Sequence, residues 1–261
     1  MGCTISKNKK KLNLTTKQLY NKTAKAWIRN KPICLSDFTA RKFVINDLTK
    51  IKGKTFADLG CGEGYCSRQL VLNGAKKVVG IDISKQMISY ANLTKNKKLI
   101  FLKRNICNSK LKSNSFDTSI AIFVFNYLNK KQIIKSLIEM KRITKKNGTI
   151  VFTVPHPMLS FIKKPNNFFY FNINKKYNYF TAKGKKFNGL ITKINGEKLK
   201  VQMFHHTLED YFELLKKTNI KVIEEIKELK VNKDVKNKNQ KMYNALKGLP
   251  LHIYFKLKNH K

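Results

Sequence analysis

Apolar residues fall along this chain in distinct textures, and the changes between them outline the expected architecture. From Thr16 to about Leu48 they recur at broken helical spacing, with Leu19, Tyr20, Trp27, Phe38 and Phe43 as candidate buried positions. Pro32 divides this stretch into two helical pieces. From Thr55 short apolar runs take over, at Phe56–Leu59, Val78–Ile81, Leu99–Leu102, Ser119–Phe123 and Thr149–Val154. They alternate with helix-length segments near 65–73, 85–94 and 130–144. Continuous apolar strands separated by helices predict a parallel sheet covered on both faces. Residues 156–204 break the rhythm, helix returns at about 208–217, and a strand is predicted near Ile220–Leu229. A Lys/Asn-rich loop follows, and Leu251–Leu257 reads as the final strand. No internal repeat is visible.

Composition narrows this picture in a few places. At 261 residues and 42% hydrophobic, the chain has the length of one large domain or two small ones and the apolar content of a globular protein. The longest apolar run, Ile120 to Phe125, is far short of the roughly 20 residues that span a bilayer. Five cysteines, odd in number and without CxxC spacing, argue against a disulfide scaffold or structural zinc site and for a reducing, cytoplasmic setting. The net charge of +40 invites a nucleic-acid reading, but a nucleic-acid footprint is a patch or stripe and every third of this chain is basic. Only five of the 55 cations are arginine, the residue suited to bidentate phosphate or guanine recognition. Together with 27 asparagines, the lysine excess reads as compositional drift, and a nucleic-acid partner is not expected.

The chemistry concentrates in Phe56-Ala-Asp58-Leu-Gly60-Cys61-Gly62-Glu-Gly64-Tyr65-Cys66, where a strand runs into glycines at every second position and a helix begins. Such glycines let the backbone turn sharply and approach a ligand that a Cβ would exclude. The dinucleotide fingerprint GxGxxG is not met, because the third glycine arrives one residue early and Tyr65 stands in its place. The pattern is DxGxGxG, which suits a ligand without a pyrophosphate. Eighteen residues beyond Gly64, Asp82 ends the second strand, where a carboxylate can accept hydrogen bonds from both hydroxyls of a ribose.

On these residues the chain resembles the class I S-adenosylmethionine-dependent methyltransferases, from about Lys54 to Pro155. The glycine loop corresponds to the family's first motif and Asp82 to its second. Asn105 falls where the family often has an Asp near the adenine amino group. Ser115 to Tyr127 resembles the fourth strand and the loop facing the transferred methyl, and Lys145-Lys-Asn-Gly148 the tight turn into the fifth strand. The resemblance implies a Rossmann-like seven-stranded sheet, mostly parallel with an antiparallel last strand, helices on both faces, and an aromatic-rich insertion after the fifth strand. It implies S-adenosylmethionine as cofactor, held by Asp58, Gly60, Cys61, Gly62, Gly64, Asp82, Ile83, Asn105, Ile106 and Phe123, with no metal. The expected organisation is a basic arm over residues 1–15 and one methyltransferase domain over 16–261, with a helical cap at 16–53.

A hydroxyl acceptor benefits from a base that titrates near neutrality, which points to histidine. His252, inside the last strand, and His260, in the tail, read as structural or solvated. His156, between two prolines at the carboxyl end of the fifth strand, and His205, beside His206 before the 208–217 helix, are the expected catalytic pair. Small-molecule members of the family carry similar Pro-His-Pro and His-x-Thr-Leu contexts. A strand cap at His156 and a core histidine at His205 are the competing readings. Between them, the aromatics of residues 157–204, among them Phe161, Phe168, Phe169, Tyr170, Phe171, Tyr177, Tyr179, Phe180 and Phe187, suit a lid over an apolar acceptor or a dimer surface. The expected activity is methyl transfer to oxygen of a small lipophilic or polyketide-like molecule. The alternative is an RNA or protein methyltransferase; the family's amino-methylating enzymes often carry Asn/Asp-Pro-Pro-Tyr/Phe after the fourth strand, and Phe125-Asn126-Tyr127-Leu128 has no such prolines. At the amino terminus, Gly2 with Ser6 matches a myristoylation template, and Cys3 and Lys7 to Lys11 supply the second signal for peripheral membrane anchoring.

Overall fold

The computed structural model describes residues 14–48, 50–162, 168–220 and 222–260. The lipidation template and the basic arm through Asn13 lie outside the described residues. The cap forms α1 (Thr16–Trp27), opened by a capping box in which Thr15 and Gln18 satisfy each other's backbone N–H groups, and α2 (Lys42–Asp47), entered through a wide turn at Asp37–Arg41. Alternation then follows as the apolar runs predict: β1 (Thr55–Leu59), α3 (Tyr65–Leu72), β2 (Lys77–Asp82), α4 (Lys85–Ala91), β3 (Leu99–Lys103), β4 (Phe116–Ile122), α5 (Lys130–Ile143) and β5 (Thr144–Pro155). After the insertion come α6 (Leu208–Lys217), β9 (Val222–Leu229) and β10 (His252–Lys258).

These strands make one seven-stranded sheet in the order β3-β2-β1-β4-β5-β10-β9, in which β10 runs antiparallel to both neighbours and the other pairings are parallel. Adjacent strand residues divide between the two faces. Ala57, Val79, Ala121, Phe152 and Phe255 pack with Ile133, Leu137 and Met140 of α5 and with Tyr211 and Leu214 of α6. Phe56, Val78, Ile120, Val151 and Tyr254 pack with Val44 of α2 and Leu70 of α3. Two covered faces explain why the strands lack polar alternation.

Two segments carry more structure than their patterns predict. The irregular stretch after β5 contains β6 (Phe169–Phe171), β7 (Lys186–Thr192) and β8 (Lys198–Phe204), a separate antiparallel sheet in the order β6-β7-β8. The Lys/Asn-rich stretch expected as a loop forms α7 (Lys233–Lys238) and α8 (Gln240–Leu246), with Asn232 and Asn239 as N-caps. Each helix has few apolar residues, but Val235, Met242 and Leu246 are fully buried. They share a cluster with Trp27 and Phe38 of the cap and Phe169, Phe171, Leu199 and Met203 of the insertion. Cap, insertion and α7–α8 therefore form one roof over the carboxyl ends of the parallel strands.

Candidate active site

Under that roof lies a cavity of about 290 Å³. Its floor is the turn leaving β1. Gly60, Gly62 and Gly64 have φ of +73°, +57° and +86°, a region L side chains rarely adopt. The amides of Gly60 and Cys61 donate to the Ile81 carbonyl at 2.7 and 3.0 Å, tying the turn to β2. A Cβ on Gly60 would stand 2.2 Å from Val124 Cγ2, whereas one on Gly62 would meet nothing nearer than Met87 Sδ at 4.0 Å. Gly60 is dictated by packing; Gly62 leaves open space where the wall faces the cavity.

Two carboxylates border this floor. Asp82 accepts from the Gly62 amide at 3.0 Å on Oδ2 and from the Ser84 amide at 2.8 Å on Oδ1, which fixes its orientation. Two carboxylate oxygens offer about four acceptor sites, so capacity remains for a pair of hydroxyls. Burial pushes its acid strength down, opposed by those amides. Asp58, 2% exposed, accepts from Ser67 Oγ at 2.6 Å, and burial pushes its carboxyl up to about 6.

Because the folded value of Asp58 lies above the ordinary 3.8, the folded state holds a proton there that the unfolded chain has already lost between about pH 4 and 6. Stability through this group therefore falls as pH rises through that window, by about 3 kcal/mol at full ionisation. Asp58→Asn is expected to abolish that slope: the variant's melting temperature should gain on wild type between pH 4 and 7. Parallel melting curves would show Asp58 ionising without cost.

The cavity is also lined by Tyr20, Trp27, Arg29 and Arg41 of the cap, Phe123 and Tyr127 after β4, Leu159, Phe169, Phe171 and Met203 of the insertion, and Met242 and His252. Phe123 is held at φ +56°, an uncommon conformation for a bulky residue and one that clusters at functional sites. Its ring meets the His252 ring edge-on at 4.9 Å and lies under the Arg41 guanidinium, also at 4.9 Å. Tyr20 and Tyr127 join hydroxyl to hydroxyl. His252 Nδ1 lies 3.1 Å from Thr39 Oγ1, which is also 3.0 Å from the Leu35 carbonyl. A carbonyl only accepts, so the single Thr39 hydroxyl proton goes to Leu35 and His252 Nδ1–H donates to Thr39. Nε2 is left as the unprotonated nitrogen. Burial, with Arg41 and His156 nearby, pushes the imidazole down to about 3.

Nine of the ten predicted cofactor residues line the cavity: Asp58, Gly60, Cys61, Gly62, Asp82, Ile83, Asn105, Ile106 and Phe123. Gly64 does not; it opens α3, and a Cβ there would stand 2.6 Å from Phe101. Asn105 spends its carbonyl on the Cys107 amide at 2.9 Å. Neither expected catalytic histidine lines the cavity. His156 Nδ1 accepts from the Met158 amide and Nε2 donates to Glu228 at 2.8 Å, latching the end of β5 to β9. His205 Nε2 donates to the Tyr179 carbonyl at 2.7 Å between Tyr179 and Phe161. His206 donates likewise to the Leu128 carbonyl. Of the histidines among the described residues, His252 is the one that lines the cavity. Its legible signal is topological: an antiparallel last strand starts at the carboxyl end of the sheet, where His252 pairs with Pro155.

A glycine turn after β1, a carboxylate ending β2 and a roofed, largely apolar cavity beyond the strand ends define an α/β protein built to bind a nucleoside-like ligand. Residues 57–152 match the family model described as a methyltransferase domain. An uncharacterized protein of Methanocaldococcus jannaschii is 30% identical over 79% of this chain and 76% of its own length. An uncharacterized protein of Haemophilus influenzae is 30% identical over 54% of this chain, and the match spans 56% of that relative. Among solved structures, an S-adenosylmethionine-dependent methyltransferase from Mesorhizobium loti superposes with a TM-score of 0.62 at 15% identity, over 85% of this chain and 99% of that one. This chain belongs to the class I S-adenosylmethionine-dependent methyltransferases and is an enzyme of that type. The floor fits the cofactor: space at Gly62, spare acceptor sites on Asp82 and apolar flanks at Ile83 and Ile106.

Proposed function

We propose that this enzyme methylates an oxygen of a small lipophilic acceptor, in the manner of enzymes that tailor polyketide-like metabolites. The observation that carries this reading is the largely apolar lining of the cavity beneath the roof. Trp27, Leu159, Phe169, Phe171, Met203 and Met242 wall it from three separate stretches of chain, each packed in the roof cluster. A roofed cavity with a mostly apolar lining suits a small lipophilic molecule. An RNA acceptor would favour a basic patch or stripe, whereas the lysines are dispersed over the whole chain.

S-adenosylmethionine, when bound, supplies an electrophilic methyl on a sulfonium. Asp58, Gly62 and Asp82 hold the nucleoside and amino-acid parts of such a ligand. The roof fixes the acceptor, and proximity of that kind is a large part of what a displacement requires. His252 Nε2 accepts the hydrogen bond of an acceptor hydroxyl and aims its lone pair. Held near 3, this imidazole stays neutral before transfer, so Nε2 is free to accept. As the S–CH3 bond breaks and the O–CH3 bond forms, the hydroxyl proton, strongly acidic on the oxonium oxygen, passes to Nε2 and from there to solvent.

His252→Asn is therefore expected to lower turnover by roughly 10- to 100-fold while S-adenosylhomocysteine affinity stays within about twofold, and the wild-type rate should show no inflection from this group between pH 5 and 8. Equal turnover in the variant would remove His252 from the chemistry. The function itself is tested by incubating metabolite, RNA and protein fractions of a cell extract with the enzyme and methyl-labelled cofactor. Label in a small molecule soluble in organic solvent supports the proposal; label confined to RNA or protein overturns it.

A further inference from the structure

We infer that the exposed face of the β6-β7-β8 sheet docks on an anionic lipid bilayer. The inference goes beyond methyl transfer and stands whichever acceptor the enzyme uses. Successive strand residues point to opposite faces, and the register fixes which of them share a side. Phe169, Phe171, Leu199 and Val201 share one face, and all are buried. On the other face Tyr170 pairs with Leu190 and Leu190 with Lys200, with Lys198 and Lys186 in the neighbouring rows. Tyr170 is 60% exposed, Leu190 is half-buried, and all three lysines are exposed. Residues 157–204 hold ten lysines against the single carboxylate of Glu197, which is already paired with Lys193 at 2.7 Å. A tyrosine and a leucine ringed by unneutralised lysines is the chemistry of an interfacial surface.

A second stretch of chain is held to the same face. Gln202, two residues along β8 from Lys200 and so on its side of the sheet, donates from Nε2 to the Leu14 carbonyl at 3.1 Å. Lys7, Lys9, Lys10 and Lys11 precede Leu14, with no acidic residue among residues 1–13. Three residues of chain reach about 11 Å at most, so Lys11 stays close to this face whatever path it takes. Lysines near a bilayer surface each add attraction to anionic headgroups, and their stems lie along apolar surface while the ammonium groups reach outward. A tyrosine suits the same boundary, with an apolar ring and a polar tip. A single-stranded nucleic acid would instead stack its bases on successive aromatic rings. Tyr170 is the one exposed ring among the described residues of this face, since Phe204 lies under Lys186. The apolar pair at its centre is what separates this face from the chain's general basicity, and it favours lipid.

Co-sedimentation of the full-length, unacylated chain with phosphatidylcholine vesicles, with and without phosphatidylglycerol, tests this at physiological ionic strength. Binding is expected with phosphatidylglycerol and should be roughly tenfold or more weaker without it. Lys198→Glu combined with Lys200→Glu should weaken binding to the anionic vesicles by roughly tenfold or more. Tyr170→Ser should weaken it by a smaller measurable factor, and both variants should keep S-adenosylhomocysteine affinity. The control is Lys76→Glu with Lys77→Glu, exposed positions at the amino end of β2 and so at the far end of the sheet from the roof. It changes net charge equally but should leave vesicle binding within about twofold, because charges distant from the contact are screened. Wild-type chain that fails to bind the anionic vesicles overturns the inference without any variant. An equal loss in the Lys76 and Lys77 control also overturns it, by reducing the effect to net charge. So does vesicle binding that persists in the roof variants, including the case in which they lose a single-stranded RNA instead and the face belongs to nucleic acid.

Discussion

Asp82→Ala is expected to weaken binding of S-adenosylmethionine or S-adenosylhomocysteine by about 1.5–3 kcal/mol, which is roughly a 10- to 150-fold loss in affinity. The carboxylate ends β2 in the cavity wall with both oxygens oriented by backbone amides, so it costs a bound ribose little to find them in place. Substitution removes two effects together. It deletes the acceptors of charge-assisted hydrogen bonds, and it frees the Gly62 amide that Asp82 now holds. Calorimetric titration checks the result, with a melting curve as control, since removing a partly buried carboxylate relieves its desolvation while loosening the glycine turn. Unchanged affinity would detach Asp82 from the cofactor.

The second large effect separates two glycines that look equivalent in sequence. Gly60→Ala forces a side chain to φ +73° and sets its Cβ 2.2 Å from Val124 Cγ2. Backbone strain and overpacking together should cost about 2–5 kcal/mol of stability, because Val124 follows the strained Phe123 and has little room to retreat. Gly62→Ala meets no atom closer than 4.0 Å, so its stability cost is the conformational part alone, about 1–2 kcal/mol. Its methyl group instead occupies the space offered to the ligand. Gly60→Ala should therefore lower the melting temperature far more, and Gly62→Ala should lose S-adenosylhomocysteine while folded. Melting curves and titrations on both variants check this; the reverse ranking would mean that the turn is held by the ligand and not by Val124.

How the acceptor side escaped a linear reading follows from the residues themselves. His156 and His205 stand in contexts that resemble catalytic ones, yet each spends Nε2 on a partner away from the cavity, Glu228 in one case and the Tyr179 carbonyl in the other. His252 looks like one more strand residue in Leu251–Leu257, and only the antiparallel pairing that sets it beside Pro155 brings it to the ligand end. Arg41 carries no motif at all. It reaches the cavity because the turn at Asp37–Arg41 delivers its guanidinium onto Phe123, a residue 82 positions away in a different layer. The aromatic insertion was legible as a cover for the cavity, but its own sheet was not: Lys, Asn and Gly interrupt β7 and β8 often enough to hide a two-residue period.

What the sequence by itself determined is whatever depends on neighbours along the chain. Apolar runs bounded by helices dictate the parallel sheet, because strands buried on both faces need no polar alternation. Asp58, the glycines and Asp82 announce the cofactor floor, because a sharp turn and a strand-end carboxylate are local features with local causes. The tertiary structure alone decided the roof over the strand ends, α7 and α8, and the tautomer of His252. These depend on groups far apart in the chain: Val235 and Met242 hold their helices by burial against the cap, and Thr39 sets the proton on His252 from 213 residues away. Local propensity carries no record of such partners, so it is the packing of cap, insertion and last strand that sets a roof over the cofactor-binding sheet.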